Sequence, residues 1–181
     1  MHTALAEYVR GLAPAARERV IWPSATEFEV TSYLSDREPP ATLVTSVRAV
    51  VRRGTDVLVF DDARGESHLL PGGRLKRDEP LLVALQRELM EEIGCAVTEK
   101  PRLIGAMHFH RLTELPETHP YFGSSPDFLQ AVFDVTTGND PIEPIDDPWV
   151  RQPRFVPVRD IARLPLHVVE RAFLVQRSHE D

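Results

Sequence analysis

Glu88, Glu91 and Glu92 are spaced i, i+3 and i+4, so on a helix they share one face. Like charges at that spacing repel by about 0.2–0.5 kcal/mol a pair. The flanking residues predict such a helix from Pro80 to Ile93. Pro80 suits the first turn, Gly94 suits the left-handed position just past the last, and Leu82, Leu85, Leu89 and Ile93 form an apolar stripe on a neighbouring arc. The acids fall in the last two turns, where the helix dipole disfavours negative charge by about 0.3–1 kcal/mol each. Arg87, four residues before Glu91, relieves one of them. Such a cluster is either a solvated acidic face or a set of oxygen ligands, and a bound divalent cation turns its cost into a gain. Carboxylate oxygens suit Mg²⁺, which keeps several waters and takes phosphate oxygens as further ligands.

The acids follow a short apolar run broken by Pro71-Gly72-Gly73, where two glycines let the backbone turn sharply and approach a metal or phosphate. Gly73, Glu79, Arg87-Glu88-Leu89, Glu91-Glu92, Gly94 and Cys95 together fit G-x5-E-x7-R-E-U-x-E-E-x-G-U, with U a bulky apolar residue, and so resemble the Nudix box. A chance match in a chain of this length is on the order of one in ten million from background frequencies. Cys95 is small for U, although cysteine behaves as a buried hydrophobe. The box covers 23 of 181 residues. His68 stands where many family members carry tryptophan, and Arg154-Phe155-Val156-Pro157-Val158 resembles the strand before the family's last helix.

The resemblance implies an α/β/α sandwich around a mixed β-sheet, and hydrolysis of a nucleoside diphosphate linked to another group by metal-activated water. It implies that Glu88, Glu91 and Glu92, with the backbone carbonyl of Gly72, bind Mg²⁺, with Mn²⁺ as a substitute. Glu88 is also the in-box residue that orients or deprotonates the water, and Arg87 and Glu79 hold the carboxylates. Family members often recruit one more acid from outside the box. Asp127, Glu143, Asp146 and Asp147 are the candidates, and each alone also reads as a solvated loop acid.

Around the box the pattern predicts a short helix in the first 13 residues, with Leu5, Tyr8, Val9 and Leu12 on one face and Pro14 interrupting. Strands are expected at Glu27 to Leu34, through Val44 to Val51 with Val57 to Phe60 as hairpin partner, and at Ser67 to Leu70. Further strands are expected at Leu103 to Phe109, Phe128 to Val135 and Arg154 to Val156, and a last helix from Leu166 to Arg177. The long proline-bearing loop before Phe128 is of a kind that often carries function. Residues 1–40 read as an N-terminal extension packing on a Nudix domain over 41–181, and a homodimer through that extension is an expectation.

Arg48, Arg52, Arg53, Arg74, Lys76 and Arg77 are cations near the box in sequence, each suited to a substrate phosphate or to ordinary surface. His108 and His110 share one strand face, but one pair is an incomplete metal site. Tyr121, Phe122 and Trp149 are candidates to stack on a base or to fill the core. The net charge of −7 opposes nucleic-acid binding through a basic surface. No run approaches the ~20 apolar residues of a membrane helix, the start lacks the n- and h-regions of a signal, and a single cysteine forbids an intrachain disulfide. A cytoplasmic enzyme acting on a nucleotide-type small molecule is therefore expected, with no nucleic-acid or membrane partner.

The rival is a Nudix-like regulator that senses a nucleotide without cleaving it; the complete set of box carboxylates and the absence of an evident helix-turn-helix argue against it. Isoprenoid diphosphate isomerisation on the same fold uses an altered box. The downstream marks of ADP-ribose, NADH and dinucleoside-polyphosphate hydrolases are not evident, which leaves the substrate open with nucleoside triphosphates slightly favoured.

Overall fold

Val47, Ala49 and Val51 alternate with Arg48, Val50 and Arg52 along strand β3 (Val44–Arg53), so the strand offers each face of a sheet a different set. The computed structural model describes residues 2–22, 25–118, 123–138 and 150–175. Strand β3 pairs in parallel with β7 (Asp127–Thr136). From β7 the sheet runs antiparallel through β6 (Arg102–Arg111) and β2 (Glu27–Leu34) to β1 (Pro14–Ile21).

On its other side β3 meets β4 (Asp56–Asp61) only at Arg52↔Val57 and Arg53↔Asp56. The expected hairpin therefore exists but opens at once, and β4 leaves to pair with β5 (Ser67–His68) and β8 (Arg151–Pro157). Residues 71–75 take the vacated edge of β3. The Ala49 N–H donates to the Pro71 carbonyl at 2.9 Å, and those of Val47 and Leu75 close 3.0 Å bonds with the Gly73 and Thr45 carbonyls. This exchange carries the Gly72–Gly73 turn into the middle of the sheet.

Helices α1 (Thr3–Val9) and α2 (Leu81–Ile93) share one hydrophobic cluster: Leu5, Tyr8, Leu85, Leu89 and Ile93 pack with Val47, Ala49, Val51, Ala131 and Phe133. The alternate side chains, Val30, Val50 and Val132, pack with Val169 and Phe173 from α3 (Val168–Arg171) and the 3₁₀ turn over 172–175. Phe28 and Phe109 belong to this second cluster and Trp22 and Phe128 pack against it, and helices on both faces of a mixed sheet give the expected α/β/α arrangement.

Three details correct the sequence reading. Beyond Pro14 lies a strand, β1, that the pattern did not announce; it is an edge strand whose half-buried Ala16, Glu18 and Val20 include a charge, so alternation was masked. The last helix is one α-turn followed by a 3₁₀ turn, and residues past 175 lie outside those described. Leu82 is not core but 39% exposed, because the first turn of α2 projects into the wall of a cavity of about 1000 Å³ beside Val44 and Leu103. Tyr121, Phe122, Glu143, Asp146, Asp147 and Trp149 also lie outside the described residues. Among the described residues no helix is long and apolar enough to cross a membrane.

Candidate active site

Helix α2 begins and ends as its sequence dictates. Pro80 caps it in extended geometry (φ −63°, ψ 144°), and Gly94 closes it in the left-handed region (φ 63°), its N–H reaching the Leu89 and Met90 carbonyls. The buried side is Ala84, Leu85, Leu89 and Ile93. Glu88 and Glu92 lie half-buried beside it, while Glu91 is mainly exposed.

Arg87 gathers the acids. Its Nε and Nη2 each donate at 2.8 Å to the two oxygens of Glu79, and its Nη1 donates to Glu88 at 2.6 Å and to Glu91 at 3.0 Å. The Glu91 contact is the expected i, i+4 pair. Nη2 also reaches the Arg74 carbonyl at 3.1 Å, tying the helix to the loop before it. The hydrogen bonds from Arg87, then that from the Lys76 amide, hold the Glu79 carboxyl down at about 2. Arg87 is correspondingly pushed up, first by Glu79. A guanidinium forked onto one carboxylate has its direction fixed, so its remaining donors orient the others.

The loop comes to meet these acids. Glu92 accepts the Gly72 N–H at 2.7 Å, and Glu88 packs on the Gly73 α-carbon so closely that a Cβ there would lie 2.2 Å from its Oε2. Gly72 itself has φ 131° and lies against the backbone of Val47. Two carboxylates and a glycine turn thus converge as an all-oxygen donor set, which suits a hard divalent cation. The Gly72 carbonyl accepts from the Arg48 guanidinium of β3, a partner the sequence placed only among six loop and strand cations.

The arrangement is a box-and-helix unit in a longer match: a family model of the NUDIX domain fits residues 42–176. The chain belongs to the Nudix hydrolase family. Its fold is shared by the MutT NUDIX hydrolase of Burkholderia pseudomallei, with a TM-score of 0.53 and 20% identity over 74% of this chain and 96% of that one. The NUDIX domain of Shewanella oneidensis NrtR, crystallised with ADP ribose, superposes with a TM-score of 0.51 and 16% identity over 70% of this chain and 80% of that one. Identities this low speak for the fold. A search of curated proteins finds no match.

Behind the Nudix loop, Glu170 of α3 fixes the strand that enters it. Its carboxylate accepts the Leu69 N–H at 2.7 Å and meets His68 Nδ1 at 2.9 Å. Burial alone would raise Glu170, but the His68 hydrogen bond and charge hold it below the usual carboxylate range. Burial would likewise lower His68, yet Glu170 and then Asp62 push it up. The raised His68 adds stability that is full below its ordinary value of 6.5 and is lost as pH climbs through its folded value. The lowered Glu170 adds stability that is full above its ordinary 4.5 and is lost as pH falls through its folded value. Thermal melts should show Glu170→Gln furthest below the wild type near pH 5.5, with the gap narrowing by pH 9. A gap independent of pH would show that the pair does not titrate with folding.

Two other clusters have protein partners. Asp62, Glu66 and His68 bring ligand atoms within 4.8 Å of one another. Asp62, however, accepts the backbone N–H groups of Arg64 and Glu66 at 2.8 and 2.9 Å and caps that turn. Asp127, the one described candidate for an extra-box acid, is met at 2.8 Å by both His108 Nε2 and His110 Nδ1. Burial would raise it, but those histidines hold it below the usual range. Its hydrogen bonds thus run to the histidine pair of β6, not to the box.

Proposed function

We propose that this protein hydrolyses a nucleoside diphosphate linked to another group, with Mg²⁺, or Mn²⁺ in its place, held by Glu88, Glu91, Glu92 and the carbonyl of Gly72. The observation that carries this reading is the closure of Glu88 and Glu92 onto the Gly72–Gly73 turn. Three carboxylates crowded at the end of a helix cost stability unless a cation joins them. The bound metal would offset phosphate charge, polarise the phosphoryl oxygens and acidify a water. Glu88 is held at Oε1 by Arg87, which leaves Oε2 to orient the attacking water and take its proton. Arg87 and Glu79 keep that carboxylate in place. Among nucleoside triphosphates, nucleotide sugars and ADP-ribose, the first are favoured, because the marks of the ADP-ribose and dinucleotide enzymes are not evident in the sequence.

The test is release of phosphate and pyrophosphate across a panel of these substrates, with and without Mg²⁺. Turnover of at least one substrate class, abolished by chelation, is expected. Silence across the panel with tight nucleotide binding retained would overturn hydrolysis and favour a nucleotide sensor.

A further inference from the structure

Arg48 is a half-buried cation without a carboxylate partner among the described residues. Its side chain lies on the sheet face opposite α2, alternating with Val47 and Ala49, which pack against that helix. Its donors are nevertheless fixed. Nε bonds the Gln130 side chain at 3.2 Å, and Nη1 meets the carbonyls of Leu70, at 3.4 Å, and Gly72. Gln130 is itself only 4% exposed, so it is a rigid peg. Nη2 makes no hydrogen bond to the described residues. Carbonyl dipoles satisfy some donors of a guanidinium but leave its charge uncompensated, and half-buried charges are normally paired. Nη1 of this guanidinium meets the carbonyl of the same Gly72 whose N–H Glu92 accepts, and a guanidinium with a donor to spare matches phosphate geometry.

We infer that Arg48 is a substrate-binding residue that grips phosphoryl oxygens of the diphosphate chain, with Gln130 as the residue that positions it. The inference rests on the diphosphate-hydrolase reading and names the anion clamp of the same site. Neutral Gln130 suits this role, since it orients the guanidinium and leaves its charge for a ligand.

Two variants separate a clamp from a brace. Arg48→Gln removes the charge. Gln130→Glu keeps the shape and the acceptor but supplies an internal anion. If Arg48 only braced the loop, Gln130→Glu would preserve or strengthen that brace. As a clamp, both variants should weaken substrate by about 10- to 100-fold, the worth of one charge-assisted hydrogen bond. The loss should fall on KM more than on kcat. Binding of inorganic pyrophosphate with Mg²⁺, measured by calorimetry, gives a readout independent of turnover and should weaken in parallel. If the wild type binds pyrophosphate and Arg48→Gln does not, the clamp stands even where the substrate panel is silent. Unchanged KM and pyrophosphate affinity in Gln130→Glu would overturn it, as would a wild type that binds no pyrophosphate.

Discussion

Glu92→Gln should lower metal-dependent turnover by about 10²–10⁴-fold, the several kcal/mol that metal catalysis supplies at roughly 1.4 kcal/mol per decade. The same variant should leave the metal-free protein as stable as the wild type or slightly more so. The two effects have different physical origins. A glutamine oxygen can still accept the Gly72 N–H that Glu92 accepts at 2.7 Å, so the turn keeps its anchor. What disappears is one of three negative charges on the last two turns of α2. Without a cation that charge is a burden of about 0.3–1 kcal/mol from the helix dipole, plus its repulsion from Glu88. With a cation it is a ligand. Adding Mg²⁺ should therefore raise the melting temperature of the wild type more than that of the variant, because only ligand bound to the folded state stabilises it. Full activity in Glu92→Gln, or equal metal-induced shifts in both proteins, would remove Glu92 from the metal site.

How much of this was legible in the sequence depends on the reach of each interaction. The helix, its Pro80 start and Gly94 stop, and the Arg87–Glu91 pair all operate within a few residues, so periodicity and capping rules suffice. The Arg87–Glu79 fork is eight residues long and was legible only because a recognisable motif spans it. Beyond that range the signal fails. Arg48 and Gln130 stand 82 residues apart, and His68 and Glu170 stand 102 apart. Neither pair leaves a pattern in a single chain, although a polar Gln130 inside an apolar β7 run was a cue to a buried partner. The early parting of β4 from β3 was equally hidden. A hairpin of alternating valines looks the same whether it stays zipped or opens for residues 71–75. Strand β1 was missed for a different reason: an edge strand half-buries its inner row, and Arg17, Glu18 and Arg19 obscure the alternation.

The paired glycines give the sharpest contrast, and Gly73→Ala should abolish most activity while Gly72→Ala should chiefly damage the fold. At Gly73 the atoms nearest a Cβ all belong to the carboxylate of Glu88, with Oε2 at 2.2 Å, Cδ at 2.5 Å and Oε1 at 2.8 Å. A carboxylate is the far end of a flexible side chain, so it can rotate away, and the melting temperature should change little. Rotation, however, takes Glu88 off the Arg87 bond at 2.6 Å that aims it. Displacing a reacting group by about 1 Å costs on the order of 10²-fold in rate, and the same displacement withdraws a proposed metal ligand. At Gly72 the obstacle is main chain: a Cβ would lie 2.3 Å from the Val47 carbonyl oxygen and 3.0 Å from the Arg48 Cα. The φ of 131° is also one that side chains other than glycine rarely adopt. Neither can yield without parting residues 71–75 from β3, so a loss of about 2–3 kcal/mol or more is expected from strain and clash together. Melting temperature and kcat measured on both variants decide the matter. A stable, inactive Gly73→Ala beside a destabilised Gly72→Ala is the expected pair. An active Gly73→Ala would mean that Glu88 works from a position other than the one it holds against this turn.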